Sequence, residues 1–520
     1  MLQSILSWLD FIKMDVFLKI LTYFYPVYFL ILLVFLVVLA KRSFPVFRES
    51  FKKIKLKDYF ILFLLIFFGA ILRIKYSFHI DLDPYGWRYI QDALAIKGFF
   101  CPFLKLPFEL SDALHILGYP FLISVPLFFS SNILTISIFN IVFSVLTIGI
   151  VYLATYLWTQ NKFASVLAGG MLAASLLHVS YSGMEFPMSI SVFVVALEFL
   201  FFILWLKSKD RASGLVLITL FFISVNIKFE NVIFILLFGL VFIKSLKDVK
   251  LKVQIKKNQK YFLILFILSV IICLPFFVNF QYLQVKSVPA TQHLFTLGNF
   301  LRNFSLFIME RYKGFPLFMV LAFLALSLFK KNIYKGYILV WWFFISLISS
   351  SYCATVNSEW NMLQVLIPVF IISGYVISET INLFLKSNIL RCILLVLLLF
   401  LFFWNTSVTM KANKRYSWIN LKQDLNTSVG EGCIVSLNIR TSKFSLGFLF
   451  PDKNLIFMDD NYQNNKVSQC KGALYYFNPV PYGLEEEADK DVVLRWEDIL
   501  SEKYEFKKVS NFSLYALKKK

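Results

Sequence analysis

The chain alternates long apolar runs with short polar interruptions, and the run lengths define its class. Stretches of roughly 15–25 apolar residues match the ~30 Å hydrocarbon core that a helix must cross. They include Leu18–Ala40, Tyr59–Ile74, Leu134–Trp158, Pro187–Leu206, Tyr261–Val278, Leu363–Ile377 and Ile393–Trp404. The pattern predicts an all-α polytopic membrane protein with about 12 transmembrane helices. After residue 406 the pattern changes. Short apolar runs such as CIVSLNI (433–439), NLIFMDD (454–460) and GALYYFN (472–478) read as strands, and VVLRWEDILSEKY (492–504) is helix-compatible. A small C-terminal α/β extracytoplasmic domain is therefore expected over 407–520, of ordinary domain size. It follows an N-terminal helix and basic loop (1–58) and a transmembrane region (59–406) with a large outer loop at 76–132.

Composition agrees: of 520 residues, 59% are hydrophobic and only 16% charged, against about a quarter charged in soluble domains. The net charge of +21 raises nucleic acid as a partner, and its distribution removes that reading. The basic residues concentrate in short connections, chiefly KRSFPVFRESFKKIKLK (41–57) and KSLKDVKLKVQIKKNQK (244–260). Short basic loops mark the cytoplasmic side and sit beside anionic headgroups. No basic stripe lies on a soluble face. Both termini then fall outside, with no cleavable signal peptide expected because Leu18–Ala40 is long enough to span. The location expected is the plasma (inner) membrane, with the active site and C-terminal domain extracytoplasmic. Cys433 and Cys470 share the outer tail and could pair there.

With that sidedness the other ionisable residues separate. Asp81, Asp83, Arg88, Lys105, Glu185, Lys228, Glu230, Arg302 and Arg311 all map to outer segments, as do the four histidines His79, His115, His178 and His293. Ionisable groups at span ends are costly unless they face a polar cavity. In HIDLDPYGWRYIQDALAIKGFF (79–100), Asp83 suits an N-cap and Pro84 the first helical position. Arg88 and Asp92 are placed to pair at i, i+4, and Gly98 to stop the helix. Capping accounts for Asp83 and leaves Asp81 unexplained.

An acidic pair opening the first outer loop, then Tyr-x-x-x-Ala-x-x-x-x-Gly, resembles the GT-C glycosyltransferases, in particular the protein mannosyltransferase and aminoarabinose-transferase-like group. GYPFLISVPLFF (118–129), read as a re-entrant or interfacial piece, extends the resemblance. So do HVSYSGMEFPMSISVFVVALEFLFF (178–202), with Glu185 and Pro187, and NIKFENVIFILLF (226–238). The resemblance covers roughly residues 59 to 405. It departs at Asp81-Leu82-Asp83, where many members have Asp-Glu, and at EWNMLQVLIPVF (359–370), which lacks the usual arginine. The related oligosaccharyltransferase catalytic subunits carry Trp-Trp-Asp in a C-terminal domain. The double tryptophan here, Trp341-Trp342, is in a span and followed by Phe343, which disfavours that subfamily.

The resemblance implies a polyprenyl-phosphate-linked sugar donor, a glycan, lipid or protein acceptor, and transfer to an acceptor hydroxyl with inversion on the outer face. The leaving phosphate needs little protonation, so the chemistry asks for one base and for cations on the phosphate. Asp83 is the expected base, with Asp81 as partner or alternative. Lys228, Arg302, Arg311 and Lys105 are candidates for the donor phosphate, and Glu185, Glu230 and Arg88 for acceptor or sugar. No cofactor is required. A divalent cation could sit at Asp81/Asp83, but no residue set stands out as a metal site. A multi-span transporter or flippase is the first alternative, although no internal repeat supports it. A polysaccharide polymerase or ligase of cell-envelope glycans is the second.

Overall fold

A computed structural model describes residues 14–52, 54–76, 84–100, 117–130, 133–228, 231–232, 333–352, 363–412, 432–437, 454–458, 473–477, 500–508 and 514–520, with a few isolated positions between. Twelve helices and five strands have defined bounds among them. The helices are α1 (Met14–Phe51), α2 (Leu56–Tyr76), α3 (Pro84–Phe100), α4 (Gly118–Phe129), α5 (Ile133–Thr159), α6 (Lys162–Ala173), α7 (Leu176–Ser180), α8 (Met188–Ser208), α9 (Arg211–Ile227), α10 (Ile333–Tyr352), α11 (Leu366–Phe384) and α12 (Asn388–Ala412). Among the described residues, six segments are long and apolar enough to cross a membrane: Phe24–Phe51, Leu56–Tyr76, Leu134–Thr159, Met188–Ser208, Leu363–Phe384 and Asn388–Thr409. The remaining spans expected from sequence fall largely outside the described residues.

Local chemistry sets the helix ends. Asn161 caps α6 by accepting from Ala164 N, and Asp210 caps α9 by accepting from Ser213 N, each satisfying a donor that a helix start leaves orphaned. The expected helix after Asp83 begins at Pro84, as read from sequence. It runs on to Phe100, two residues past Gly98. The segment 118–129 is a 12-residue helix, too short to span and in line with an interfacial piece. The expected basic loop is helical as far as Phe51. Lys, Arg and Glu are good helix formers, and the Ser43 and Ser50 hydroxyls bond back to the carbonyls of Ala40 and Val46.

The spans differ in what they face. The apolar window of α8 is 83% buried and that of α12 only 6%, so α8 is the axis of the bundle and α12 a rim helix. Helix α8 packs between α5 and α9, while α6 packs between α5 and α11. Small residues let α6 and α11 meet closely. A Cβ on Gly374 would stand 2.6 Å from the Ala164 carbonyl oxygen.

In the tail, β1 (Cys433–Leu437), β2 (Asn454–Met458), β3 (Leu474–Phe477), β4 (Tyr504–Lys508) and β5 (Leu514–Lys519) form one sheet in the order β2-β1-β3-β5-β4. The first three are parallel, with Val435 beside both Ile456 and Tyr476. Strand β5 then runs antiparallel to β3 and β4, with Leu517 beside Phe506. Rings of Tyr476, Phe506 and Tyr515 pack on one another. Cys433 is disulfide-bonded; Cys470, its expected partner, lies outside the described residues.

Candidate active site

Buried polar side chains gather at one end of the bundle, the end reached by the C-termini of α2 and α9 and the N-termini of α5, α8 and α11. This is the end the sequence assigns to the outer face. The opposite end is closed by ordinary inter-helix locks. Lys162 pairs with Asp58, and the Asn161 amide donates to Glu379 at 2.9 Å.

Arg73, in the last turn of α2, is fully buried, and each of its five N–H groups has an acceptor. Nε donates to Ser144 Oγ (2.7 Å), Nη1 to the carbonyls of Gly69 (2.8 Å) and Ala173 (3.0 Å), and Nη2 to the Leu172 carbonyl (3.3 Å) and His178 Nδ1 (2.6 Å). Leu172 and Ala173 end α6, where carbonyls lack helical partners and the helix dipole is negative. The guanidinium therefore ties α2, α5, α6 and α7 together. A guanidinium cannot accept, so His178 Nδ1 must be the acceptor and its proton lies on Nε2. Burial, and secondarily the Arg73 charge, hold His178 well below the usual imidazole pKa. It is a neutral, structural imidazole.

The chain then makes the turn 181–187, which carries Glu185, and helix α5 supplies two adjacent grips on it. Ser137 Oγ donates to Glu185 Oε1 at 3.2 Å, and one turn on, Asn140 Nδ2 donates to the Met184 carbonyl at 2.6 Å. Ser189 Oγ donates to the Tyr181 carbonyl at 3.1 Å. Glu185 is only 3% exposed. Its carboxyl group is thus held in place by the fold itself.

Helix α4 joins this turn to a second one. A Cβ at Gly118 would meet the Asn226 carbonyl oxygen at 2.1 Å, so the start of α4 rests directly on the end of α9. The next residue, Tyr119, accepts from Asn140 Nδ2 (2.9 Å) and stands in the field of Glu185. Two residues past Asn226, Lys228 is the C-cap of α9 and 7% exposed. Its turn is pinned from both sides. Tyr25 of α1 donates to Asn226 Oδ1 (3.0 Å), while Asn231 donates to Ser191 Oγ (2.9 Å) and the Ser224 carbonyl (3.0 Å). Gln364 closes the group by donating to Asn231 Oδ1 (2.5 Å) and Ser191 Oγ (2.8 Å). Tyr89 of α3 packs perpendicular to Tyr119, ring centres 5.1 Å apart. This brings the helix that follows Asp83 to the same end.

Of the sequence candidates, Glu185 and Lys228 are buried side chains at this end. Arg88 is described only as part of the α3 backbone. Asp81, Asp83, Lys105, Glu230, Arg302 and Arg311 lie outside the described residues. Sequence reasoning missed Arg73, Tyr119, Asn140 and Gln364. Arg73 carried a signal, being an arginine inside the last turn of an apolar span; the others are isolated polar residues in apolar surroundings. Among the described residues, no three His, Cys, Asp or Glu side chains stand close enough to hold a metal ion.

The described helices have a GT-C fold. Three solved structures carry that conclusion, all of the oligosaccharyltransferase of Archaeoglobus fulgidus. The apo form has a TM-score of 0.51 at 11% identity, covering 78% of this chain and 65% of that one. The complex with an inhibitory peptide and dolichol-phosphate has a TM-score of 0.51 at 10% identity, covering 90% and 75%. The chain thus spans about two thirds of that enzyme's length in the apo form. ArnT from Cupriavidus metallidurans bound to undecaprenyl phosphate has a TM-score of 0.49 at 10% identity, covering 88% of this chain and 97% of that one. No family profile and no curated protein sequence matches the chain. The likeness to the archaeal enzyme is one of fold. Trp341-Trp342 lies within α10, Trp342 packed 4.3 Å from Phe199, so this dipeptide is part of the bundle, as read from sequence.

Proposed function

We propose that the protein is a membrane glycosyltransferase that moves a sugar from a polyprenyl-phosphate-linked donor to an acceptor hydroxyl. One observation carries the reading: a GT-C bundle whose buried polar groups, Glu185 and Lys228 among them, converge at the end where the helix after Asp83 is packed. The archaeal enzyme of this fold is solved with dolichol-phosphate, which supports a lipid-phosphate donor here. The active end and the C-terminal sheet face away from the cytoplasm.

In this mechanism Asp83 removes the proton from the acceptor hydroxyl, with Asp81 beside it in sequence as partner. The hydroxyl attacks the anomeric carbon from the face opposite the phosphate, the glycosidic bond to phosphate breaks, and the configuration inverts. Lys228 balances the phosphate charge as a point cation, assisted by Arg302, Arg311 and Lys105. Glu185 accepts hydrogen bonds from the sugar or acceptor, and Glu230 and Arg88 complete that side. Phosphate is a good leaving group, so no paired general acid is needed, unlike in glycoside hydrolysis. A divalent cation at Asp81/Asp83 is compatible with the reaction without being required.

The test is transfer from labelled polyprenyl-phosphate sugars by membranes carrying the wild type or Asp83→Asn. Asparagine retains capping ability and size and removes the base. Loss of transfer by at least ~100-fold at normal expression is expected, within the range general-base catalysis supplies. An unimpaired variant would refute the assignment of the base. A wild type inactive with every donor would refute the function.

A further inference from the structure

The pair Tyr119 and Asn140 has hydrogen-bonding capacity left over. Met184 O can only accept, so the Asn140 nitrogen must face it, and the amide orientation is set by chemistry. Nδ2 spends its two hydrogens on Met184 O and Tyr119 Oη. That leaves Asn140 Oδ1 buried with no donor among the described residues. Tyr119 Oη is already an acceptor, so its own proton is available, and no hydrogen bond from it is made to a described residue. Both residues are 0% exposed, and a buried polar atom without a partner is costly. The unused donor and the unused acceptor belong to neighbouring groups, because Nδ2 and Oδ1 sit on one carbon. One oxygen serving both would sit at the usual O–H···O spacing of about 2.7–2.8 Å from each. Such an oxygen must both accept and donate, which is the chemistry of a hydroxyl and not of a carboxylate, a phosphate or an ether. Glu185 lies alongside and adds negative potential toward a donating group.

We propose that Tyr119 and Asn140 form a hydroxyl-recognition subsite for the carbohydrate, reading one ring hydroxyl by one accepted and one donated hydrogen bond. The inference rests on the glycosyltransferase reading above and names which chain groups discriminate among its sugars. A water molecule offers the same hydrogen bonds, so the experiment must separate the two sources.

The full chain in detergent is assayed for binding and transfer with an undecaprenyl-phosphate hexose and its four monodeoxy analogues, in the wild type, Tyr119→Phe and Asn140→Ala. The wild type is expected to disfavour one deoxy analogue by about tenfold or more, as sites built to bond a hydroxyl do. Tyr119→Phe, which keeps the ring packing against Tyr89, removes the donor and should bring that ratio close to one. Asn140→Ala should do the same. If the variants weaken the parent sugar and every analogue equally, the groups hold structure or a water and the subsite is overturned, with the glycosyltransferase reading intact. If no hexose binds or is transferred by the wild type, both fall. Comparable thermal unfolding of Tyr119→Phe and wild type ensures that a changed ratio is not misfolding.

Discussion

Replacing Arg73 by Met keeps much of the side-chain volume and removes all five donors. The Ala173 carbonyl then loses a partner for which no substitute is in reach, and His178 Nδ1 keeps only the Ser144 hydroxyl at 3.2 Å. Leu172 O fares better, since Ser175 N also donates to it at 3.2 Å. Hydrogen bonds from a charged donor contribute ~1.5–3 kcal/mol each. The two bonds lost at Ala173 O and His178 Nδ1 therefore cost about 3–6 kcal/mol, with the Ser144 hydroxyl offsetting part of the second. Arg73→Lys retains the charge with three donors on one atom in place of a five-donor fork. It should fall between wild type and Met. Thermal unfolding in detergent, followed by retention of the monodisperse species on gel filtration after heating, ranks the three. A Met variant as stable as the wild type would refute the tie between α2, α5, α6 and α7. A Lys variant as unstable as Met would show that the fork geometry, rather than the charge, is what matters.

Three further outcomes are expected. His178 titrates below its ordinary value in the folded chain, so its contribution is complete above the unfolded pKa near 6.5. It is lost as pH falls below that value, because an Nδ1 proton would face Arg73 Nη2 at 2.6 Å; His178→Asn should flatten the wild type's loss of thermal stability between pH 7.5 and 5, and parallel curves would refute this. Gly118→Ala drives a methyl into the Asn226 carbonyl and should cost about 1–3 kcal/mol from overpacking, seen as a lower unfolding temperature. Lys162→Met strands Asp58, whose side chain is 6% exposed, and should be destabilising, with Asp58→Asn restoring part of the loss when the two are combined.

The bundle was legible in sequence where an apolar run is long enough to span, whether the helix is central or at the rim. Leu134–Trp158 and Pro187–Leu206 were each placed within two residues of α5 and α8, because a long apolar run has one reading. Helices α6 and α9 were harder, since KFASVLAGGMLA is short and rich in small residues that serve helix contact instead of lipid contact. Strands β1, β2 and β3 followed from apolar runs, whereas β4 and β5 did not. In YEFKK, Tyr504 and Phe506 alternate with Glu505 and Lys507, a half-buried period-two pattern that the helix-compatible reading of 492–504 obscured. The site divides in the same way. Glu185 and Lys228 stand out because a charge beside a span demands a reason. Asn140 and Gln364 do not, because a single amide in an apolar run looks alike whether it grips a turn or faces lipid headgroups.

Helix α1 has 38 residues and is therefore roughly 57 Å long at 1.5 Å per residue, nearly twice a bilayer core of ~30 Å. It is a spar packed on the bundle along its length, with Tyr25, Phe29, Leu32, Leu39 and Phe51 all buried. Near its start, Tyr25 bonds Asn226 and Phe29 packs on Phe121, ring centres 5.2 Å apart. At its far end Arg48 is exposed. Pro26 and Pro45 each remove one bond of the ladder, the latter that to the Lys41 carbonyl. Lys41, Arg42 and Arg48 along it, and Lys52 just beyond it, are all exposed. Leu39 and Phe51 are nevertheless buried in the same core as Tyr25 and Phe29, so the far end is held as well as the start. Packed at both ends, the spar links its basic tip to the Lys228 turn as one continuous element.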